Sequence, residues 1–165
     1  RRIAPGLRRP LAFQRWPRYR GALQSAWDRM KEEARAEALP RAPAPVWAGD
    51  LSPRAVEAAR RNARAAGVAE DVELAAMDAR AIAPRAPSGW LCSNPPYGER
   101  LGTRPLQLAG FYRGLGAALR RFAGWRAVLL SGNPALERQL GLRPESSHRL
   151  WNGPLEVRLL RYRIP

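Results

Sequence analysis

The sequence predicts an α/β fold, a largely parallel sheet with helices between its strands and an antiparallel hairpin at one end. Short apolar runs of strand length recur at Val46-Trp47-Ala48-Gly49, Val72 to Ala76, Trp90-Leu91-Cys92-Ser93 and Ala127-Val128-Leu129-Leu130. The segments between them repeat apolar residues at helical spacing, and Arg149-Leu150-Trp151 and Leu155 to Tyr162 read as a hairpin about an Asn152-Gly153 turn. At 165 residues one domain is expected, long enough to bury roughly 70% of its unfolded surface.

Residues 1–19 carry arginines, prolines and the aromatics Phe13, Trp16 and Tyr19 with no steady period. Such a mixture binds single-stranded nucleic acid by charge and stacking; equally, it tucks its aromatics onto the body of the domain. From 20 to 39, Leu23, Trp27, Met30 and Ala34 are spaced as one helix face, which predicts a core-facing helix ended by Pro40, Pro43 and Pro45.

A strand then ends at Asp50, and Ser52-Pro53 opens the next helix as N-cap and first helical residue. Val56, Ala59, Ala63 and Ala66 form its stripe, and Gly67 stops it. In a nucleotide-binding α/β unit a carboxylate at this place takes the ribose hydroxyls, yet Asp50 also stands where a capping residue would. The spacing leaves both readings open. Val72, Leu74 and Ala76 alternate as a strand followed by Met77-Asp78-Ala79. A second acid at a strand end would meet an adenine amino group, and is also a common turn residue.

The apolar run 90–93 reads as a buried strand, and Asn94-Pro95-Pro96-Tyr97-Gly98-Glu99-Arg100 follows it. Two prolines lack the N–H that would continue a ladder, so the chain leaves the sheet at Asn94. The amide oxygen and a proline carbonyl can accept both hydrogens of an exocyclic amine while Tyr97 covers the ring face. The bland alternative is a tight turn with a half-buried tyrosine.

Leu108, Phe111, Leu115, Leu119 and Phe122 mark a helix through about Phe122, in which Gly110, Gly114 and Gly116 disfavour regularity. After the strand at 127–130, Asn133-Pro134 caps a short helix ending near Gly141, and the hairpin closes the sheet.

The formal charge is +15, and every one of the 29 basic residues but Lys31 is arginine. Arginine forks onto phosphate and stacks on bases, which points to nucleic acid; a general bias toward Arg, Ala, Pro and Gly would give the same count. A lone Cys92 excludes an internal disulfide and is expected as a small buried thiol. His148 has no cysteine or carboxylate cluster, so no metal site is expected. No run nears the ~20 apolar residues of a membrane span and no secretory signal opens the chain, so the expected compartment is cytoplasmic. The first residue is not Met, and the chain reads as an excised piece.

With the heptad, the two strand-end aspartates and Asn152-Gly153-Pro154-Leu155 in order, nearly the whole chain, from Ile3-Ala4-Pro5-Gly6-Leu7 onward, resembles a known family. It is similar to the catalytic domain of bacterial THUMP-containing, S-adenosylmethionine-dependent 23S rRNA guanine-N2 methyltransferases of the RlmL or RlmK/L type. Asn-Pro-Pro-Tyr alone is shared with DNA amino-methyltransferases and enzymes that methylate protein glutamine. The resemblance implies a class I, Rossmann-like methyltransferase sheet and S-adenosyl-L-methionine as cofactor. It makes Asp50 with Leu51 and Asp78 with Ala79 cofactor-binding, Asn94 both cofactor- and amine-binding, and Asn94, Pro95, Pro96 and Tyr97 the target-amine site. For Glu99 and Arg100 it leaves a catalytic role and a structural ion pair unseparated.

One departure stands out. Members of the family carry a first strand and glycine-rich loop ahead of this region, and nothing of the form D-x-x-C-G-S-G or G-x-G-x-G exists here. The expectation is a partial catalytic domain over 1–165 without its THUMP domain or that strand, which would lie between the strands ending at Asp50 and Asn94. Exposed internal edges and weak cofactor binding would follow. Two other functions compete: methylation of DNA adenine or protein glutamine, and a non-catalytic basic RNA-binding piece. The modified product separates the first, and salt-dependent RNA binding without cofactor binding the second.

Overall fold

Apolar runs become strands and helical-period segments become helices in a computed structural model, which describes residues 1–7, 9–97 and 105–165. The order is α1 (Ala22–Ala36), β1 (Val46–Asp50), α2 (Pro53–Ala66), β2 (Val72–Ala76), β3 (Trp90–Ser93), α3 (Pro105–Leu119), β4 (Arg126–Ser131), α4 (Ala135–Leu140), β5 (Ser146–Asn152) and β6 (Leu155–Arg163). The chain divides into two units, Arg1–Ala48 with Pro53–Ala75 and Gly49–Ser52 with Ala76–Pro165.

In the first unit, 3-10 turns at Ala12–Arg15 and Pro17–Tyr19 precede α1. Neither was legible in the sequence, because a 3-10 turn is too short to show an apolar period. α1 forms as predicted but does not face a core: it has no buried residue, and Leu23 and Met30 are 56% and 58% exposed. Trp27 and Ala34 of the stripe are half-buried, and the Trp27 ring meets Phe13 edge-on at 5.2 Å. Periodicity identifies an apolar face; it does not supply the surface to cover it. β1 and β2 form a two-stranded sheet, and Arg1 ties the unit together by donating to the Leu39 and Gly67 carbonyls and pairing with Asp71 at 3.0 Å.

The second unit holds a four-stranded sheet in the order β3-β4-β6-β5. β3 and β4 are parallel, while β6 runs antiparallel to both β4 and β5. Its core joins Leu108, Tyr112, Leu115 and Leu119 of α3 to Leu136 and Leu140 of α4 and to Ala127, Leu129, Leu160 and Tyr162 of the sheet. The three glycines do not break α3. A Cβ at Gly116 would collide with the Leu140 carbonyl, so glycine lets α3 and α4 approach.

Two further expectations change. Cys92 is exposed rather than buried, as is most of β3, because β3 is an edge strand of its sheet. Asn152 pairs with Leu155, so the hairpin turns at Gly153-Pro154, one residue later than predicted, with Gly153 at φ 62.

Candidate functional site

Both strand-end acids stand in turns. The Asp50 carboxylate accepts the Ser52 N–H at 2.8 Å, an Asx turn ahead of α2. The same carboxylate's second oxygen accepts nothing from the described residues. Met77 N–H donates to the Asp50 carbonyl at 2.9 Å, which brings Asp50 and Asp78 to neighbouring strand ends.

Asp78 caps the turn Ala79–Ala81 by accepting the Arg80 N–H at 2.8 Å, and it also holds the Arg80 side chain. Nε donates to both carboxylate oxygens at 3.0 Å and an Nη donates at 2.6 Å. These bonds, with the backbone N–H, keep the Asp78 carboxyl below the ordinary carboxylate range. Arg80 in turn lies 6.0 Å from the Phe111 ring centroid and beside Gly114, where a Cβ would come within 2.8 Å of its Cδ. Arg80, which fixes the Asp78 carboxylate, was not singled out from the sequence; an i+2 arginine beside an acid is the signal that could have found it. Leu51 is 72% exposed beside Asp50, whereas Ala79 packs against the core.

Asn94 is exposed at the end of β3, and Pro95 behind it is buried. The Asn94 side-chain oxygen accepts the Tyr97 hydroxyl at 2.5 Å. Tyr112, on α3 and 1% exposed, donates its hydroxyl to the Pro96 carbonyl at 2.6 Å. Burial pushes the Tyr112 phenol up to about 12, with the neighbouring Tyr97 adding to it, so it stays a donor. The Pro95 carbonyl receives no hydrogen bond from a described residue.

The loop after β4 supports the other side. Asn133 donates from its side chain to the Tyr97 carbonyl at 3.0 Å and accepts the Ala135 N–H at 2.8 Å, capping α4 as predicted. Gly132 lies under the Tyr97 ring, where a Cβ would stand 2.5 Å from it. Burial against this loop raises the Tyr97 phenol above its usual value. Tyr112, Gly132 and Asn133 were not singled out for the site, because contacts 16 to 36 residues away leave no local pattern.

The structure therefore joins Asn94, Pro95, Pro96 and Tyr97 into one braced turn, and sets Asp50 and Asp78 in separate turns at neighbouring strand ends. Gly98, Glu99 and Arg100 lie outside the described residues. Among the described residues no cluster of His, Cys, Asp or Glu could hold a metal, and no helix is long and apolar enough to cross a membrane.

An RMKL-like methyltransferase domain, the UPF0020 family, matches residues 1–161. The chain belongs to this family. It is 38% identical over 159 residues to the ribosomal RNA large subunit methyltransferase K/L of Legionella pneumophila (strain Lens), covering 95% of this chain and 22% of that protein. It is 39% identical over 170 residues to the enzyme of the same name from Syntrophotalea carbinolica, covering 98% and 23%. The chain thus spans less than a quarter of these relatives' length.

Among solved structures, SMU.472 complexed with SAH superposes with a TM-score of 0.88 at 31% identity, covering 99% of this chain and 42% of that one. A Clostridium difficile 630 protein described as a possible methylase gives 0.85 at 27%, with coverage of 99% and 42%. The RMKL-like fold is that of S-adenosyl-L-methionine-dependent methyltransferases, with the mixed sheet and terminal hairpin predicted. The second Asp50 carboxylate oxygen is open to a hydroxyl donor, whereas both Asp78 oxygens are held by Arg80.

Proposed function

We propose that the protein to which this chain belongs methylates the exocyclic N2 amine of a guanine in 23S rRNA, with S-adenosyl-L-methionine as donor. The observation that carries this is the braced Asn94-Pro95-Pro96-Tyr97 turn at the end of β3, on a chain of charge +15. The relatives named for large-subunit rRNA methylation support the substrate. A cytoplasmic setting follows from that substrate.

The cofactor supplies an electrophilic methyl on a sulfonium. Asp50 and Asp78 would hold its ribose and adenine. The guanine amine is a poor nucleophile because its lone pair is delocalised into the ring. Asn94 and the Pro95 carbonyl accept its two N–H groups, which favours a pyramidal nitrogen with the lone pair free. Tyr97 covers the face of a base taken out of its stack. Orientation and fixed dipoles do the work, and no strong base is required.

The test is Asn94→Ala in the complete protein, with nucleosides of reacted 23S rRNA separated by mass spectrometry. Loss of N2-methylguanosine with an unchanged circular dichroism spectrum is the expected result. Undiminished product refutes the assignment of Asn94, and a methyl mark on adenine or on protein glutamine replaces the substrate.

A further inference from the structure

The first 27 residues contain seven arginines and no carboxylate. Four of them, Arg9, Arg15, Arg18 and Arg20, are exposed and pair with no acid among the described residues. Some arginines elsewhere do gather on acids, Arg60, Arg61 and Arg64 on Glu57 and Arg80 on Asp78. An unneutralised cluster of this density repels itself and is relieved by a polyanion.

Aromatic geometry narrows the polyanion. Phe13 is a hub, with ring centroids of Trp16, Tyr19 and Trp27 at 6.3, 5.7 and 5.2 Å, all edge-on. Tyr19 and Trp27 are partly buried by this packing, but Trp16 remains 64% exposed. Edge contact with Phe13 braces the indole without covering it. The 3-10 turns Ala12–Arg15 and Pro17–Tyr19 flank Trp16 and place Arg15 and Arg18 on either side in sequence. A flat, fixed, open indole among unpaired guanidiniums suits an unstacked base between two phosphates, whereas an acidic peptide would need no such ring.

We infer that residues 9–20 form a landing surface for single-stranded RNA, with Trp16 as the stacking platform and Arg15 and Arg18 as phosphate contacts. This rests on the rRNA reading above and adds to it a binding surface outside the amine site.

The experiment uses the complete protein and fluorescein-labelled oligouridine of about twelve nucleotides, followed by anisotropy over a salt series. Trp16→Ala is expected to weaken binding about tenfold, and Trp16→Phe to recover most of the loss. Arg15→Gln with Arg18→Gln is expected to flatten the slope of log K against log salt by roughly 0.7 per lost contact. At saturating rRNA the transfer rate of each variant stays at the wild-type level, with KM raised. Wild-type affinity in Trp16→Ala, an unaltered slope in the arginine variant, or failure of Trp16→Phe to rescue overturns the inference. Absence of methylated guanine from wild-type reactions would instead refute the function, leaving the oligouridine result readable by itself.

Discussion

The Tyr97 hydroxyl donates to the Asn94 side-chain oxygen, so the acceptor an incoming amine needs is held by the ring that would cover its base. A substrate must displace that bond, whose net worth is about 1 kcal/mol. Tyr97→Phe keeps the ring and frees the oxygen. Steady-state kinetics should show KM for rRNA falling by up to about fivefold with kcat retained. Tyr97→Ala loses base stacking of roughly 1–3 kcal/mol and should raise KM tenfold or more. An inactive Tyr97→Phe would mean that the hydroxyl itself takes part in transfer, contrary to the mechanism proposed.

Gly132 sets how deep the Tyr97 ring can lie. A methyl added there would stand 2.5 Å from Cδ2 of the ring, closer than a Cβ contact allows, so the ring or the backbone must shift. Gly132→Ala should cost roughly 1–3 kcal/mol, expressed mainly as lost transfer because the ring moves out of place. In a Tyr97→Ala background the same change should cost almost nothing. A double-mutant cycle on kcat/KM measures the difference, and additive effects would show that Gly132 acts elsewhere.

These two contacts mark where sequence legibility ends. Strand ends at Asp50 and Asn94, the stops at Gly67 and Gly141, and the Asn133 cap are local chemistry, and all were readable in the order of residues. Tyr112 read only as an interior position of a helix, although its hydroxyl braces Pro96. Cys92, Leu23 and Met30 were expected inside and are exposed, since an apolar pattern names a face without naming its cover. The turn Asn94-Pro95-Pro96-Tyr97 was legible because prolines after an apolar run admit few structures, but its bracing from α3 and the β4–α4 loop is tertiary.

Tyr112→Phe isolates that bracing. The ring and its packing remain, and only the 2.6 Å bond to the Pro96 carbonyl is removed. A carbonyl left without a partner costs about 1–3 kcal/mol, so the melting temperature should fall by several degrees. Transfer should fall as well, with cofactor affinity unchanged by calorimetry. Because the phenol is pushed up to about 12, loss of activity between pH 8 and 10 cannot come from its ionisation and should be identical in wild type and variant.

Arg80 governs the charge on Asp78, and pH reveals it. Their hydrogen bonds hold the folded carboxyl below its ordinary value near 3.9. A depressed folded value adds stability that is fully present above the ordinary carboxylate pKa and disappears as pH falls through the folded one. Binding of S-adenosyl-L-methionine by the complete protein should therefore be flat from pH 8 down to about 5 and weaken only below the ordinary carboxylate range. Arg80→Met removes the guanidinium and lets Asp78 titrate higher, moving that acid limb upward, while Arg80→Lys restores charge without the paired donors and should fall between. Titration calorimetry across this range decides it. An acid limb that stays in place after Arg80→Met would mean that Asp78 does not carry the cofactor.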